Sequence, residues 1–301
     1  MDARSVRREG VQLLSLALPG SLFVIAAAVL TVSGAAPAVQ ARAGAPGIVL
    51  AAGRGNPWIN LGDGAPIAAT YAGPEAATRA LIEGQAEPRS LASADFDGDG
   101  TDDLAIGYAD AAGGLLVLQA GNPDFMYPDH PAAVARRAAG MFVDAPFLPT
   151  ARVFALPVSP DFLAAGDFDA DGRADVVAAA YGEDALIWLP GDGQGGFGAV
   201  RTVDLPGAVT ALAVGEINRR DGLADVVVGV TEDPKGFGKP LGSVVLVFEG
   251  PDGALRAESE VFAMAAPITG LALAALDDDP YYDLAITAGN ELVIEIGRAH
   301  V

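Results

Sequence analysis

The sequence contains no cysteine, and this absence removes several kinds of chemistry at once. A chain without cysteine can form no disulfide framework, no thiolate metal site and no cysteine nucleophile. It also offers no cysteine to which a lipid anchor could be attached. Metal binding, catalysis or lipid attachment through a cysteine side chain is therefore excluded.

Positive charge is scarce as well. Lysine and arginine together number 18, against 39 aspartate and glutamate residues, which gives a formal net charge of −21. Nucleic-acid phosphates are bound mainly by lysine and arginine. The charge balance therefore argues against a nucleic-acid partner.

What the chain has in abundance is small apolar residues, glycine and proline. It is 51% hydrophobic over 301 residues, which is enough for the core of one large domain or two ordinary ones. Its 38 glycines and 21 prolines favour many short strands joined by tight turns over long helices.

Acidic residues are concentrated in short turns, of which DFDGDGTDD at residues 95–103 (the first loop) is the clearest. Aspartates at alternate positions, a glycine at the sixth and an aspartate at the ninth fit a loop that wraps Ca²⁺ with oxygen ligands, including a backbone carbonyl near position seven. A plain acidic turn is the alternative. The predicted ligands are Asp95, Asp97, Asp99, Asp103 and the carbonyl of Thr101.

The same pattern recurs in DFDADGRAD at residues 167–175 (the second loop), and this repetition favours calcium over an accidental turn. Its predicted ligands are Asp167, Asp169, Asp171, Asp175 and the carbonyl of Arg173.

A third loop, residues 216–225, carries one extra residue, and its weaker candidates are Glu216, Asn218, Asp221 and Asp225. A fourth loop, residues 275–283, has Ala275 in the first ligand place and Pro280 in the glycine place. We expect it to be a structural relic, although it keeps Asp277, Asp279 and Asp283.

An EF-hand is the obvious competitor, because it also binds calcium through alternating acidic residues. It requires a glutamate at position twelve and a helix on each side. Position twelve is Ile106 in the first loop and Ala178 in the second, and both loops are flanked by short strand-like segments. We therefore expect the acidic loops to connect strands.

The acidic loops belong to a longer internal repeat. Their closing aspartates recur at intervals of roughly 50 to 70 residues, and a second landmark, an apolar strand ending in a glycine-rich turn, follows at the same rhythm. One unit then holds four antiparallel strands, which cannot cover both faces of their own sheet. The units must stack, and radial stacking predicts an all-β fold, a β-propeller of four-stranded blades.

At this level of detail the chain resembles the FG-GAP or VCBS repeat proteins, whose blades form the propeller of integrin α-subunits. The residues that carry the resemblance are the two full D-x-D-x-D-G-x-x-D loops followed by LAIG and VVAA, and the third loop followed by VVVG. It covers residues 90–294, and more loosely residues 47–87, expected to be strands of a preceding blade. The resemblance implies Ca²⁺ as cofactor at the propeller edge. It also implies seven blades, of which about four to five are present.

The ends of the chain are interpreted separately from this core. Arginines followed by an apolar stretch at residues 13–32 predict a signal peptide over residues 1–41, with an uncleaved membrane anchor as the alternative. The expected localisation is secreted or periplasmic, with membrane contact only through such an anchor. Residues 42–294 would form the partial propeller, and residues 295–301 are interpreted as a non-native tail.

Residues 121–160 lengthen the first full repeat and are predicted to be an insertion. Long insertions on rigid scaffolds often carry recognition, and a stabilising cap is the alternative. Trp58 and Trp188 hold equivalent strand positions and are expected in the core between blades, with sugar platforms as the competing interpretation.

No catalytic constellation emerges from the sequence. His130 has no G-x-S-x-G motif to accompany it and is interpreted as an ordinary loop histidine. We therefore expect a non-catalytic, calcium-stabilised scaffold for binding or adhesion, with an unidentified protein or polysaccharide as its ligand. The alternative is the non-catalytic propeller portion of a larger secreted enzyme, such as a polysaccharide lyase or phospholipase.

Overall fold

The computed structural model describes residues 67, 69–217, 221–231, 242–276 and 282–295. All of them belong to the compact unit Gly64–Val301. Several sequence predictions lie outside these residues. They are the signal peptide, Trp58, Asn218, Asp277, Asp279 and most of the C-terminal tail.

The first blade is a sheet of five strands in the order β1-β5-β4-β3-β2. Its four long strands are antiparallel to their neighbours, whereas the short β1 pairs with β5 in parallel. Its strands are β1 (Thr70–Ala72), β2 (Glu87–Ala94), β3 (Asp103–Asp110), β4 (Gly113–Gly121) and β5 (Phe147–Leu156).

Three further antiparallel sheets follow in chain order, each built from strands that are consecutive in the sequence. The second blade comprises β6 (Phe162–Gly166), β7 (Asp175–Ala179), β8 (Ala185–Leu189) and β9 (Arg201–Asp204). The third comprises β10 (Ala208–Gly215), β11 (Asp225–Thr231), β12 (Ser243–Phe248) and β13 (Glu260–Met264), and the fourth β14 (Ile268–Ala274), β15 (Asp283–Ala288) and β16 (Glu291–Glu295).

The middle strands of the blades are apolar on both faces. Every residue of β7 and β12 is buried, although an exposed antiparallel sheet would alternate apolar and polar residues. The reason is that the second and third blades each pack against a sheet on either side, with a hydrophobic cluster between each pair of successive blades. The predicted all-β architecture of stacked four-stranded propeller blades is confirmed.

Phenylalanines close the spaces between the first two blades. Phe96, in the first loop, meets Phe197 of the second blade edge to face with ring centroids 5.7 Å apart. Phe154 on β5 contacts the same ring at 5.0 Å. Phe168 holds the place of Phe96 in the second loop and is fully buried in the cluster between the second and third blades. The first and second loops thus each anchor one aromatic side chain in an interblade core.

Residues before the first blade differ from the expectation of a preceding blade. The structure adds β1 to the outer edge of the first sheet and folds residues Glu75–Ile82 into a helix, α1. Ala77 of α1 is buried against a cluster that includes Val117 and Val153. A helix forms here because EAATRALI places its small and apolar residues at helical spacing, which covers the open face of the first sheet.

The stretch predicted as an insertion is divided by the structure. Residues 147–156 are β5, the outer strand of the first blade, so the added segment lies between β4 and β5. It contains helices α2 (Pro123–Met126) and α3 (Pro131–Ala138). Asp124 and Arg136 form a salt bridge that joins the two helices. None of the helices in the described part of the chain is long and apolar enough to cross a membrane.

Replacing Phe168 with alanine should lower the free energy of unfolding by about 3–5 kcal/mol, because it empties a fully buried aromatic site between two blades. The matched control is Phe125→Ala, which truncates a phenylalanine that is 41% exposed on the insertion. Denaturant unfolding of both variants checks this expectation. Equal, small losses for the two would contradict the interblade role of Phe168.

Candidate metal centre

Each acidic loop connects two antiparallel strands of one blade that are consecutive in the sequence. The first loop joins β2 to β3, and the second joins β6 to β7. Because the flanking elements are strands, the structure excludes the EF-hand alternative, which needs a helix on each side.

The first loop brings three of its aspartates together. One carboxylate oxygen from each of Asp95, Asp97 and Asp99 lies within 4.8 Å of the others. Asp95 shapes the turn, since its Oδ1 accepts hydrogen bonds from the backbone N–H of Gly98 (2.7 Å) and of Asp99 (3.2 Å), and its Oδ2 accepts one from Gly100 (2.9 Å). The side-chain hydrogen bonds of the first aspartate therefore curl the loop around the cluster.

The second loop gathers a slightly different set, namely Asp167, Asp169 and Asp175. Asp167 takes the role of Asp95 and accepts hydrogen bonds from the backbone of Asp171 and Gly172. Asp169 is only 4% exposed, and its Oδ1 has no hydrogen-bond partner among the described residues. A buried carboxylate oxygen without a partner is costly unless a cation or solvent satisfies it.

Glycine at the sixth position has a conformational reason. Gly100 and Gly172 have φ angles of 85° and 80°, and Gly222, one place later in the lengthened third loop, has a φ angle of 84°. Residues other than glycine rarely adopt such angles. Position four is also left-handed in both complete loops, where Gly98 has φ 75° and Ala170 has φ 59°. Ala170 therefore carries local strain that its counterpart in the first loop avoids.

The ninth-position aspartates serve a different purpose from the clustered ones. Asp103 accepts hydrogen bonds from the backbone N–H of Phe96 (3.0 Å) and Gly121 (2.8 Å). Asp175 accepts equivalent bonds from Phe168 (3.2 Å) and Gly191 (2.7 Å), and a third from Trp188 Nε1 (3.1 Å). Each of these carboxylates thus ties its loop to the chain at the C-terminal end of a strand, Asp103 at the end of β4 and Asp175 just after β8. Asp103 lies outside the first cluster, whereas Asp175 also belongs to the second.

The same hydrogen bond persists in the two irregular loops. Asp225 accepts from the backbone N–H of Ile217 at 2.8 Å, and Asp283 accepts from Leu276 at 2.6 Å. Among their described residues, including Glu216 and Asp221, the third and fourth loops contain no group of three carboxylates close enough to share an ion. The fourth loop thus keeps the Asp283 bond, while Asp277 and Asp279 lie outside the described residues and its interpretation as a structural relic stays a prediction.

The other predicted ligand positions are placed as follows. The Asp99 and Asp171 carboxylates accept hydrogen bonds from the backbone N–H of Thr101 (2.8 Å) and Arg173 (2.9 Å), respectively. The hydroxyl of Thr101 is buried and has no partner within the described part of the chain. Asp171 lies outside the second cluster and faces the Arg173 guanidinium at 3.5 Å.

Burial dominates the electrostatics of the loops. It raises the pKa of Asp103, Asp175 and Asp225 to about 6 each, despite the hydrogen bonds that favour their charged forms. The pKa of Asp97 is also raised, first by burial and then by the neighbouring charge of Asp99. Crowded, partly desolvated carboxylates of this kind are stabilised by a cation between them.

Each complete loop is covered by the following blade, which the sequence did not reveal. The backbone N–H of Gly195, in the β8–β9 connection, donates to the Phe96 carbonyl at 3.0 Å. At the equivalent place in the third blade, Leu255 N–H donates to the Phe168 carbonyl at 3.3 Å, and Arg256 pairs with Asp169 at 2.8 Å. The sequence identifies the glycine-rich turns at the ends of apolar strands, but it carries no signal that pairs each turn with the acidic loop of the preceding blade.

The structure also places two other residues considered in the sequence analysis, Trp188 and His130. Trp188 is 3% exposed, which agrees with the prediction of a core position. His130 caps α3, and its Nδ1 accepts a hydrogen bond from the backbone N–H of Ala132 at 3.4 Å. The histidine therefore has a structural role at a helix end.

The donor set of the two complete loops fits a hard divalent cation. Each loop supplies at least three carboxylate oxygens, and Ca²⁺ prefers oxygen ligands from flexible loops. In the second loop the buried Asp169 Oδ1, which has no hydrogen-bond partner among the described residues, fits the role of a cation ligand. Both loops therefore offer oxygen donors of the kind that calcium prefers.

Comparison with protein families agrees with the repeat found in the sequence. Residues 167–228 match the family model described as FG-GAP-like repeat, and residues 88–118 match the model described as FG-GAP repeat. The first of these segments begins with the second loop and includes β7, and the other contains the first loop with β3 and most of β2. The sequence matches no curated protein.

Several solved structures are distantly similar. A crystal structure of BBS1N in complex with ARL6DN has a TM-score of 0.38 and 13% identity, and covers 68% of this chain and 52% of its own. The Dos1 propeller has a TM-score of 0.34 and 13% identity, covering 73% and 57%. The V. cholerae biofilm matrix protein Bap1 has a TM-score of 0.30 and 16% identity, covering 71% and 38%. The chain thus spans about half the length of the first structures that it matches, and such low scores carry no argument about a ligand.

In protein freed of divalent cations, stability should rise as the pH falls from 7 to 5. A carboxyl whose pKa is raised from 3.8 to about 6 in the folded state opposes folding when ionised. This cost is fully present above pH 6 and disappears below about pH 4, where both states are protonated. Between pH 7 and pH 5, each such group should add about 1 kcal/mol to the free energy of unfolding.

Urea titrations at several pH values check this dependence. Asp175→Asn and Asp225→Asn should each reduce the gain in unfolding free energy on acidification by about one group's share, whatever their effect on absolute stability. An unchanged pH dependence in both variants would show that these carboxyls are not the cause.

Proposed function

The chain is an FG-GAP repeat protein with a β-propeller fold, and we propose that it acts outside the cytoplasm as a calcium-stabilised scaffold for binding or adhesion. The observation that carries the calcium part is the second loop, where a buried aspartate oxygen without a partner belongs to a residue in a group of three carboxylates. The first loop supports it with the crowded Asp95, Asp97 and Asp99.

Calcium would act structurally. In the first loop Asp95, Asp97 and Asp99 would hold the ion, with the carbonyl of Thr101 as a further candidate. In the second loop the corresponding residues are Asp167, Asp169 and Asp175, with Asp171 and the carbonyl of Arg173 as candidates. A bound divalent cation supplies positive charge that cancels carboxylate repulsion. It would thereby hold together the two strands that flank each loop. It would also stabilise the contact between the loop and the following blade.

Export is supported by the sequence. Arginines precede a long apolar stretch at residues 13–32, as in a secretory signal. Extracellular calcium is abundant enough to fill sites with dissociation constants of about 10⁻⁴–10⁻³ M. An exported location and modest calcium sites are therefore consistent with each other.

A recognition role is supported by the segment between β4 and β5. It carries large apolar side chains that are 41%, 56% and 55% exposed at Phe125, Met126 and Tyr127. The Asp124–Arg136 salt bridge holds the helices that present them. We assign no catalysis to the chain, because the clustered carboxylates are allotted to metal and His130 caps a helix.

Calcium should raise the melting temperature of the wild-type protein, and Asp97→Ala or Asp169→Ala should each reduce that increase by removing one ligand. Calorimetric titration should find two sites in the wild type and one in each variant. Asp129→Ala, which removes an exposed acid on the insertion, is the control. Melting temperatures that do not respond to calcium or chelator would refute the calcium proposal.

Adhesion should depend on the exposed apolar group of the insertion. A surface coated with the protein should retain cells of the producing organism, and changing Phe125, Met126 and Tyr127 to serine should reduce retention severalfold. Val261→Ser is the control, because this valine is 56% exposed on β13, outside the insertion. Equal retention by all three proteins would rule out this segment as the recognition surface.

A further inference from the structure

The two oxygens of Asp169 have different surroundings. Oδ2 accepts a hydrogen bond from the Arg256 guanidinium at 2.8 Å, whereas Oδ1 has no partner among the residues that the structure describes. The Asp169 side chain is 5% exposed and that of Arg256 is 47% exposed. One oxygen thus already contacts a positive charge from another blade, and the other remains available.

The position of Arg256 is fixed by backbone contacts. It ends a 3-10 helix, Ala254–Arg256, in the connection between β12 and β13 of the third blade. Leu255 N–H donates to the Phe168 carbonyl, one residue before Asp169. A Cβ atom at Gly253 would lie 2.4 Å from the Asp169 Cα, so only glycine allows this close approach. The fold therefore places the backbone of Arg256 beside the second loop, from where its half-exposed side chain reaches Asp169.

The first loop lacks this arrangement, although the second blade covers it in a similar way. Arg152 lies nearby, but its Nη1 donates to the Gln194 carbonyl at 2.7 Å. Within the described residues, no salt bridge reaches Asp97, which holds the position that Asp169 occupies in the second loop. The two loops have nearly the same sequence pattern but differ in their contact with protein-supplied positive charge.

We propose that Arg256 is a resident cation of the second loop, which shares Asp169 with a bound divalent ion and lowers the affinity of this loop for it. The inference rests on the proposed calcium function. Asp169 would face the guanidinium through Oδ2 and the divalent ion through Oδ1. Like charges on opposite sides of one carboxylate repel, so each cation weakens the binding of the other.

Two linked effects follow from this sharing. Without divalent ions, Arg256 offsets the charge of Asp169 and holds the second and third blades together. When the second loop is filled, the ion offsets that charge instead, so the contribution of Arg256 to stability shrinks. Thermodynamic linkage requires that removing Arg256 then increases the divalent affinity of the second loop.

Trp188 offers a local reporter for the test, because its Nε1 donates to Asp175 of the second cluster at 3.1 Å. The chain contains two tryptophans, so Trp58→Phe leaves Trp188 as the only one. In this background, Tb³⁺ bound at the second loop should luminesce on excitation of Trp188. Displacement of Tb³⁺ by Ca²⁺ then gives the calcium affinity of that loop separately from the first.

Arg256→Gln should tighten Tb³⁺ and Ca²⁺ binding at the second loop by about threefold to tenfold, as expected for one screened charge near the ion. It should also lower the melting temperature in chelator, and by roughly half as much or less in saturating Ca²⁺. Arg256→Lys keeps the charge and should stay near the parent protein. Arg79→Gln, which removes an exposed arginine on α1, controls for net charge.

The outcomes separate this inference from the proposed function. Absence of sensitised Tb³⁺ luminescence in the parent protein, together with no calcium effect on its melting, would refute calcium binding by the second loop. Normal luminescence with an affinity that Arg256→Gln leaves unchanged or weakens would overturn the inference alone. Equal losses of melting temperature with and without Ca²⁺ would do the same.

Discussion

Each acidic loop is organised around a buried aspartate that accepts backbone hydrogen bonds at the start of the strand following the loop, namely β3, β7, β11 or β15. Because the sheets are stacked on one another, the ends of their strands lie close to interblade cores. Backbone N–H groups left unpaired there would be costly. Asp103, Asp175, Asp225 and Asp283 accept such N–H groups in all four blades. This hydrogen bond joins the beginning of each loop to its end and so fixes the positions of both.

This contact explains how the loops can diverge in their other acidic positions. Hydrogen bonding to the ninth-position aspartate requires one buried acceptor, whereas a cation site requires several carboxylates that converge. The third and fourth loops keep the first property, and their described residues do not form a carboxylate group of the second kind. In the first loop Asp103 accepts the backbone hydrogen bonds and lies outside the group of three carboxylates, whereas Asp175 in the second loop takes part in both.

The loops also lie where one blade meets the next. The buried Phe96 and Phe168 fill interblade cores, and their carbonyls accept hydrogen bonds from the following blade. A cation bound in either loop would thus affect an interface between sheets as well as the turn that holds it. The Arg256–Asp169 salt bridge adds a second electrostatic link across one of these interfaces.

The sequence by itself determined the repeat, the strand-forming segments and the acidic loops, because these follow from local composition and spacing. Alternating aspartates with a left-handed glycine define a loop such as residues 95–103 without reference to distant residues. It also identified Trp188 as a core residue. It did not predict that residues 70–82 would add a parallel strand and a helix to the first blade, because β1 forms only through pairing with β5, about 80 residues later.

Tertiary structure alone decided which carboxylates converge and what covers them. Asp103 and Asp175 hold the same place in the motif, yet only Asp175 belongs to a three-carboxylate cluster. The contact of Arg256 with Asp169 joins residues 87 positions apart. Such differences arise because burial and the approach of a neighbouring blade depend on packing between sheets, which no local pattern encodes.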